Sequence, residues 1–287
     1  MKLSAIIHAM TYHGQDTVPF PEGLRTLKRA GFDSVVLMSR PGGPVLREGQ
    51  IPDACLIDLG ASDVDLIIGL ADDAGIEVNS VFGSGVDVSD DAAMQQTVEG
   101  LSGVLDVGRR LGCRYMGHPC PRADAAGMPT ADKQDLIDRL VTVMDTVAAT
   151  APEIRFGVDV HYHGSIESVA DCRYYVERAE NDNVGILLNT GHMTTTGQPG
   201  WELLDTIPDR VFIMGWKDHL TGPDLEKPVM SVELGTGHTD FSKYIERLKG
   251  DPTERLNLIN VEDATIPEKE NALRASREYL EGLWASA

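Results

Sequence analysis

The sequence predicts a single (β/α)8 barrel, an α/β fold occupying residues 1–287. Three observations predict it. Short apolar runs alternate with longer amphipathic stretches eight times along the chain. No G-x-G-x-x-G motif follows the first apolar run and no phosphate-loop motif appears, which removes the usual reasons for a doubly wound sheet. Titratable residues gather at the ends of the predicted strands, where barrels of this kind carry their chemistry.

The elements follow in order. LSAII (3–7) is a strand, and Leu24, Leu27 and Ala30 give a helix over Pro21–Ala30 that Gly31 stops. DSVVLM (33–38) is the second strand. Val64–Ala74 is helical and ends at Gly75; IEVNSVF (76–82) follows as a strand. A helix over Asp90–Leu111 ends at Gly112 and leads to the strand CRYMGH (113–118). Asp135–Ala149 places Leu136, Leu140, Val143, Met144 and Val147 on one face, ahead of the strand RFGVDVHYH (155–163). The helix Ser168–Ala179 precedes VGILLNT (184–190), and a short helix near Trp201–Leu204 precedes VFIMGWKDH (211–219). A helix over Phe241–Lys249, the strand LNLINVED (256–263) and the helix Glu268–Trp284 complete the pattern.

Composition narrows the class. The chain has 287 residues, 42% of them hydrophobic and 24% charged, enough for a large core. No stretch approaches the roughly 18 apolar residues of a membrane span. The opening residues lack the apolar core and cleavage site of a signal peptide, so a cytoplasmic location is expected. Cys55, Cys113, Cys120 and Cys172 are scattered without a C-x-x-C pair and read as buried free thiols. The net charge of −20 repels phosphate backbones, so nucleic acid is not an expected partner.

All eight histidines fall at or just beyond predicted strand ends. His8 ends strand one, and Tyr12 and His13 follow in its loop. His118 ends strand four. Asp159, His161 and His163 alternate along strand five and would share a face. Asn189 ends strand six with His192 beyond it. Lys217, Asp218 and His219 end strand seven, His238 lies in the next loop, and Asn260, Glu262 and Asp263 end strand eight. Such convergence points to a polar pocket of titratable groups. Trp201 and Trp216 read as wall or core residues, with an aromatic platform for a ring-shaped ligand as the alternative for both.

The segments LKRAGFDSVVL (27–37), VGILLNTGH (184–192), RVFIMGWKDH (210–219), LGTGHTDF (234–241) and NVEDATIPEKENALRASREYL (260–280) resemble, in order and spacing, the xylose-isomerase-like barrel superfamily of sugar-phosphate isomerases, epimerases and dehydratases. The resemblance covers essentially the whole chain. It implies one divalent metal (Mn, Mg, Co or Zn) held by a Glu on strand five, an Asp on strand six, a His on strand seven and a Glu on strand eight. It implies no nucleotide cofactor. Carried over, these positions fall on His161, Asn189, Gly215 and either Asn260 or Glu262, a departure at nearly every place. Strand parity puts His163, His219 and Glu262 on the same inward face, one pleat nearer the mouth, and the expected displaced metal set is His161, Asn189, His219 and Glu262.

The resemblance therefore implies an enzyme acting on a sugar, cyclitol or related polyhydroxy ketone by proton transfer next to a carbonyl. Its expected catalytic residues are His161, His163, His192 and Lys217. Expected substrate contacts are His8, His13, His118, Trp216, Asp218 and His238. Two alternatives stand beside it: a lyase cleaving a ketosugar glycoside with a partner subunit, and a sugar-binding accessory barrel with reduced catalysis. A small sugar-like molecule is the expected partner, with no membrane, and a homo-oligomer matches the habit of similar proteins.

Overall fold

The computed structural model describes residues 1–12, 15, 16, 18–122 and 128–287. Its centre is a closed barrel of eight parallel strands: β1 (Leu3–Ile6), β2 (Ser34–Met38), β3 (Glu77–Phe82), β4 (Tyr115–Pro119), β5 (Arg155–Asp159), β6 (Val184–Asn189), β7 (Val211–Trp216) and β8 (Leu256–Ile259). Strand β1 closes the ring by pairing on both sides: Ala5 is in register with Val35 of β2 and with Ile259 of β8. Every pairing in the ring is parallel.

The helices on the outside are α1 (Phe20–Arg29), α2 (Val64–Ala74), α3 (Asp91–Arg110), α4 (Thr130–Ala148), α5 (Val169–Arg178), α6 (Thr190–Thr195), α7 (Glu202–Thr206), α8 (Phe241–Leu248) and α9 (Ile266–Ser286). Their ends have local causes. Asp63 accepts from the Asp65 and Leu66 amides at the start of α2, and Gly75 ends it in the left-handed conformation. Asp90 caps α3, while Ser168 and Asp171 form a reciprocal capping box on α5. Among the described residues, no helix is long and apolar enough to cross a membrane. The four cysteines are buried and unpaired with one another, as their spacing predicts.

The expected strands run longer than the observed ones, and the excess matters for the site. Strand β5 stops at Asp159, β7 at Trp216 and β8 at Ile259. Beyond β5 the chain turns, with the Gly164 amide donating to the His161 carbonyl and His163 at φ 62°. Beyond β7 the chain forms a hairpin, in which Asp218–Leu220 pairs antiparallel with Val229–Val232. Alternation along a strand therefore cannot be extended to His163, His219 or Glu262.

Asp218 organises the segment that follows this hairpin. Its carboxylate accepts from the amides of Gly235 (2.9 Å), Gly237 (2.8 Å) and Thr239 (3.0 Å). A Cβ at position 237 would lie 2.3 Å from Asp218 Oδ1, so only glycine fits there. Asp218 was expected to touch substrate; it is a buried loop cap instead. Asp218→Ala leaves three amides without their acceptor and should cost about 2–4 kcal/mol of unfolding free energy, read by chemical denaturation. Unchanged stability would refute the capping role.

Candidate active site

A cavity of about 760 Å³ opens at the C-terminal mouth of the barrel. Its floor is apolar, formed by Ile6, Phe82, Leu187 and Leu258 from β1, β3, β6 and the end of β8. Its wall is polar: His8, Asp159, His161, Asn189, Lys217, Asn260 and Glu262 all line it. A few convergent polar groups over an apolar floor is the usual construction of a small-molecule site.

Lys217 follows β7 directly and points inward by alternation, between the outward Trp216 and the capping Asp218. Thr190 grips its peptide from both sides, accepting the Lys217 amide at 3.0 Å and donating to its carbonyl at 2.8 Å. The ammonium donates to Glu262 Oε1 at 3.2 Å. Glu262 Oε1 also accepts from Asn260 Nδ2 (2.8 Å) and Ser231 Oγ (3.1 Å), and His8 Nδ1 stands 3.5 Å away. Burial works to raise the Glu262 carboxyl, but Lys217 and His8 together hold it well below the usual carboxylate range. Glu262 is therefore held as the carboxylate. Ser231 sits at φ 58° with 1% exposure, a strained non-glycine position stitched to the site by the amides of Glu262 and Asp263.

His161 also lines the cavity, past the end of β5. Its Nδ1 lies 2.6 Å from the Tyr162 carbonyl, which can only accept. Nδ1 therefore carries the proton and Nε2 the lone pair. Burial lowers the imidazole below its ordinary range, with Asp159 opposing and Lys217 assisting. His161 is thus a neutral base in the cavity that Lys217 also lines.

His192 lies behind it, ring centroids 3.9 Å apart, and His219 meets His192 edge-on at 4.8 Å. Both are buried and neither lines the cavity. Thr195 spends its hydroxyl proton on the Gly191 carbonyl, so the 2.7 Å contact between Thr195 Oγ1 and His219 Nδ1 is a donation from the ring. Burial pushes His219 down to about 3 and holds His192 well below the ordinary imidazole range. These two rings are neutral packing behind the base.

The other expected residues disperse. His163 is exposed, stacked on Tyr162 at 3.8 Å. His238 is exposed and accepts the Thr221 amide at 3.1 Å. Trp216 is fully buried outside the barrel against Phe241 and Tyr244 of α8, donating to Asn257. His13 lies outside the described residues. His118 faces outward from β4, since Pro119 beside it lines the cavity.

Burial brings His118 from an ordinary 6.5 down to about 4. Between these values the unfolded chain binds more protons, so stability falls as pH drops through this window. The loss should approach about 3 kcal/mol, and His118→Phe should flatten that part of the pH–stability curve. A variant curve as steep as the parent's would count against this.

Asp159 and Asn260 were placed at strand ends by the sequence but given no catalytic or substrate-binding role, and both line the cavity. Asn189 Nδ2 donates to Asp159 Oδ1 at 2.9 Å, matching the Asn260–Glu262 contact. The available signal was a carboxylate two residues before His161 at a strand end. The positions the resemblance assigns to a metal do not form a ligand set: residue 215 has no side chain, and Asn189 and Asn260 are amides tied to carboxylates. The displaced set fails too, because Glu262 is committed to Lys217 and His219 to Thr195. Among the described residues, no three His, Cys, Asp or Glu side chains converge to hold a metal ion.

Fold and site together define a (β/α)8 barrel with a cavity lined by titratable residues at its C-terminal mouth. The chain belongs to the xylose isomerase-like TIM barrel family, whose model matches residues 13–283. Its fold is similar to that of the IolI protein with a bound zinc atom, with a TM-score of 0.75, 16% identity and coverage of 100% of this chain and 99% of that one. A D-tagatose 3-epimerase-like protein superposes with a TM-score of 0.73 at 13% identity, over 99% and 97% of the two chains. The probable 3-DHS dehydratase AsbF of Bacillus anthracis gives 0.72 at 12% identity, over 98% and 99%. No curated protein matches the sequence.

Proposed function

We propose that the chain is an enzyme that moves a proton on the carbon next to a carbonyl in a sugar, cyclitol or similar polyhydroxy ketone. One observation carries this reading: a neutral imidazole with a lone pair on Nε2 and a carboxylate-held ammonium line the same cavity. Family membership and structural neighbours that include epimerases and a dehydratase support the class of reaction.

Each group has a distinct task. His161 Nε2 takes the proton from the carbon beside the carbonyl, and its Nδ1–H bond to Tyr162 keeps the ring in the accepting tautomer. The electrons move onto the carbonyl oxygen, where the Lys217 ammonium stabilises the enediolate. Glu262 holds that ammonium in place. The apolar floor lowers the polarity around the developing charge. In an isomerisation the protonated His161 then delivers the proton to the neighbouring carbon, while the hydroxyl proton passes between the two enediolate oxygens. In a dehydration it protonates the departing β-hydroxyl, which leaves as water. An epimerisation takes its proton from a second donor on the opposite face.

Isomerisation, epimerisation and dehydration share this first step. The test is NMR observation of a panel of ketoses, ketose phosphates and inososes with the purified enzyme. At least one is expected to isomerise, epimerise or lose water at a rate that depends on His161. If no compound reacts, or His161→Gln reacts at the parent rate, the proposal fails.

A further inference from the structure

Two buried amides at the cavity wall bear on what the site takes. Asn189 and Asn260 are 2% and 3% exposed, both line the cavity, and each gives its Nδ2 hydrogens to a carboxylate, Asp159 and Glu262 respectively. A carboxylate accepts and cannot donate, so neither amide can be flipped. Their Oδ1 atoms are thereby fixed as acceptors, buried and without a partner. A buried acceptor left unmet is costly, and groups that remain so in a cavity wall call for a donor from a ligand.

The neighbouring positions exclude a divalent ion as that ligand. A Cβ at residue 215 would lie 2.8 Å from Leu187 Cδ2, so an apolar methyl fills the space where a strand-seven ligand would start. The Lys217 ammonium, 3.2 Å from Glu262, brings its own positive charge to the group of oxygens that would attract the ion. Neutral acceptors beside an ammonium suit hydroxyl donors next to a carbonyl.

We propose that Asn189 and Asn260 accept hydroxyl groups of a polyhydroxy ligand through their amide oxygens, beside the Lys217 ammonium, at a site whose residues do not fit a divalent ion. The inference rests on the proposed function only for the kind of ligand. A linear polyol without a carbonyl, xylitol, probes it because it can bind without reacting. Enzyme equilibrated with Mn, Co or Zn and then gel-filtered should hold substoichiometric metal by elemental analysis. Xylitol should bind by calorimetry equally with and without chelator, and Asn189→Leu or Asn260→Leu should weaken it by about tenfold. Asn260→Ser serves if a leucine variant does not fold, with the same expected weakening.

One equivalent of metal per chain, chelator-sensitive xylitol binding, parent affinity in the variants, or no xylitol binding would each overturn the inference. None of these readouts uses turnover. A site that binds xylitol without metal yet never exchanges a carbon-bound proton would sink the proposed function and leave this inference standing.

Discussion

Lys217→Met is expected to lower kcat/KM by about 10²–10³, the loss that follows removal of one preorganised group stabilising an oxyanion. That corresponds to about 3–4 kcal/mol of transition-state stabilisation. The loss should fall mainly on kcat, because the charge on the carbonyl oxygen appears only as the proton leaves. The substitution also strips Glu262 of its ammonium. The Lys217 and Glu262 side chains are 11% and 23% exposed, and Glu262 keeps its bonds from Asn260 and Ser231. The stability cost should therefore be modest, about 1–2 kcal/mol, below that of a fully buried pair. Its pH dependence has a definite sign. A carboxyl held below its ordinary value stabilises the fold above pH 4.5, and that contribution disappears as pH falls through the folded-state value. Without Lys217 this contribution shrinks, so acid unfolding should begin at higher pH. Lys217→Arg keeps a charge and should recover part of kcat, though its planar fork cannot reproduce a point charge. Equal kcat in parent and Met variant would remove Lys217 from the chemistry.

His161→Gln should cost about 10²–10⁴ in kcat, the contribution of a positioned general base. Glutamine can keep the bond to the Tyr162 carbonyl but has no basic lone pair to replace Nε2. The parent enzyme's pH profile should identify the same group. Because burial lowers His161 below its ordinary 6.5, the neutral base persists below that pH, and the acid limb of kcat/KM should have its midpoint under 6.5. The limb should vanish from the residual activity of His161→Gln. By contrast, His192→Phe replaces a ring that sits behind the base and outside the cavity lining. Its effect should be smaller than that of His161→Gln. The reverse ranking would transfer the base role to His192.

The barrel was legible because its signals are local. Alternating apolar runs, Gly75 in the left-handed conformation and caps at Asp63, Asp90 and Ser168 each act within a few residues. The site was legible in part. His161, Lys217, Glu262, Asn189 and His8 were named from the sequence, and all five line the cavity. What escaped depends on where strands stop. V-D-V-H-Y-H alternates like a strand, but the Gly164–His161 turn ends it, exposing His163 and leaving Asp159 as the carboxylate at the wall. Lys217 and Asp218, adjacent in sequence, were both expected in the site. They diverge because Gly235, Gly237 and Thr239 return to the Asp218 carboxylate, a contact across 17 to 21 residues that no local pattern reports. The pairing of each amide with its carboxylate has the same origin for Asn189 and Asp159, which are 30 residues apart.

The most direct test of the account is deuterium incorporation. In D2O, product formed from the reacting ketone, and substrate recovered at partial conversion, should carry deuterium on the carbon beside the carbonyl. The exchange should drop with the same factor as turnover in His161→Gln. Product that forms at the parent rate in that variant, or deuterium exchange that persists there undiminished, would contradict a His161-mediated proton transfer.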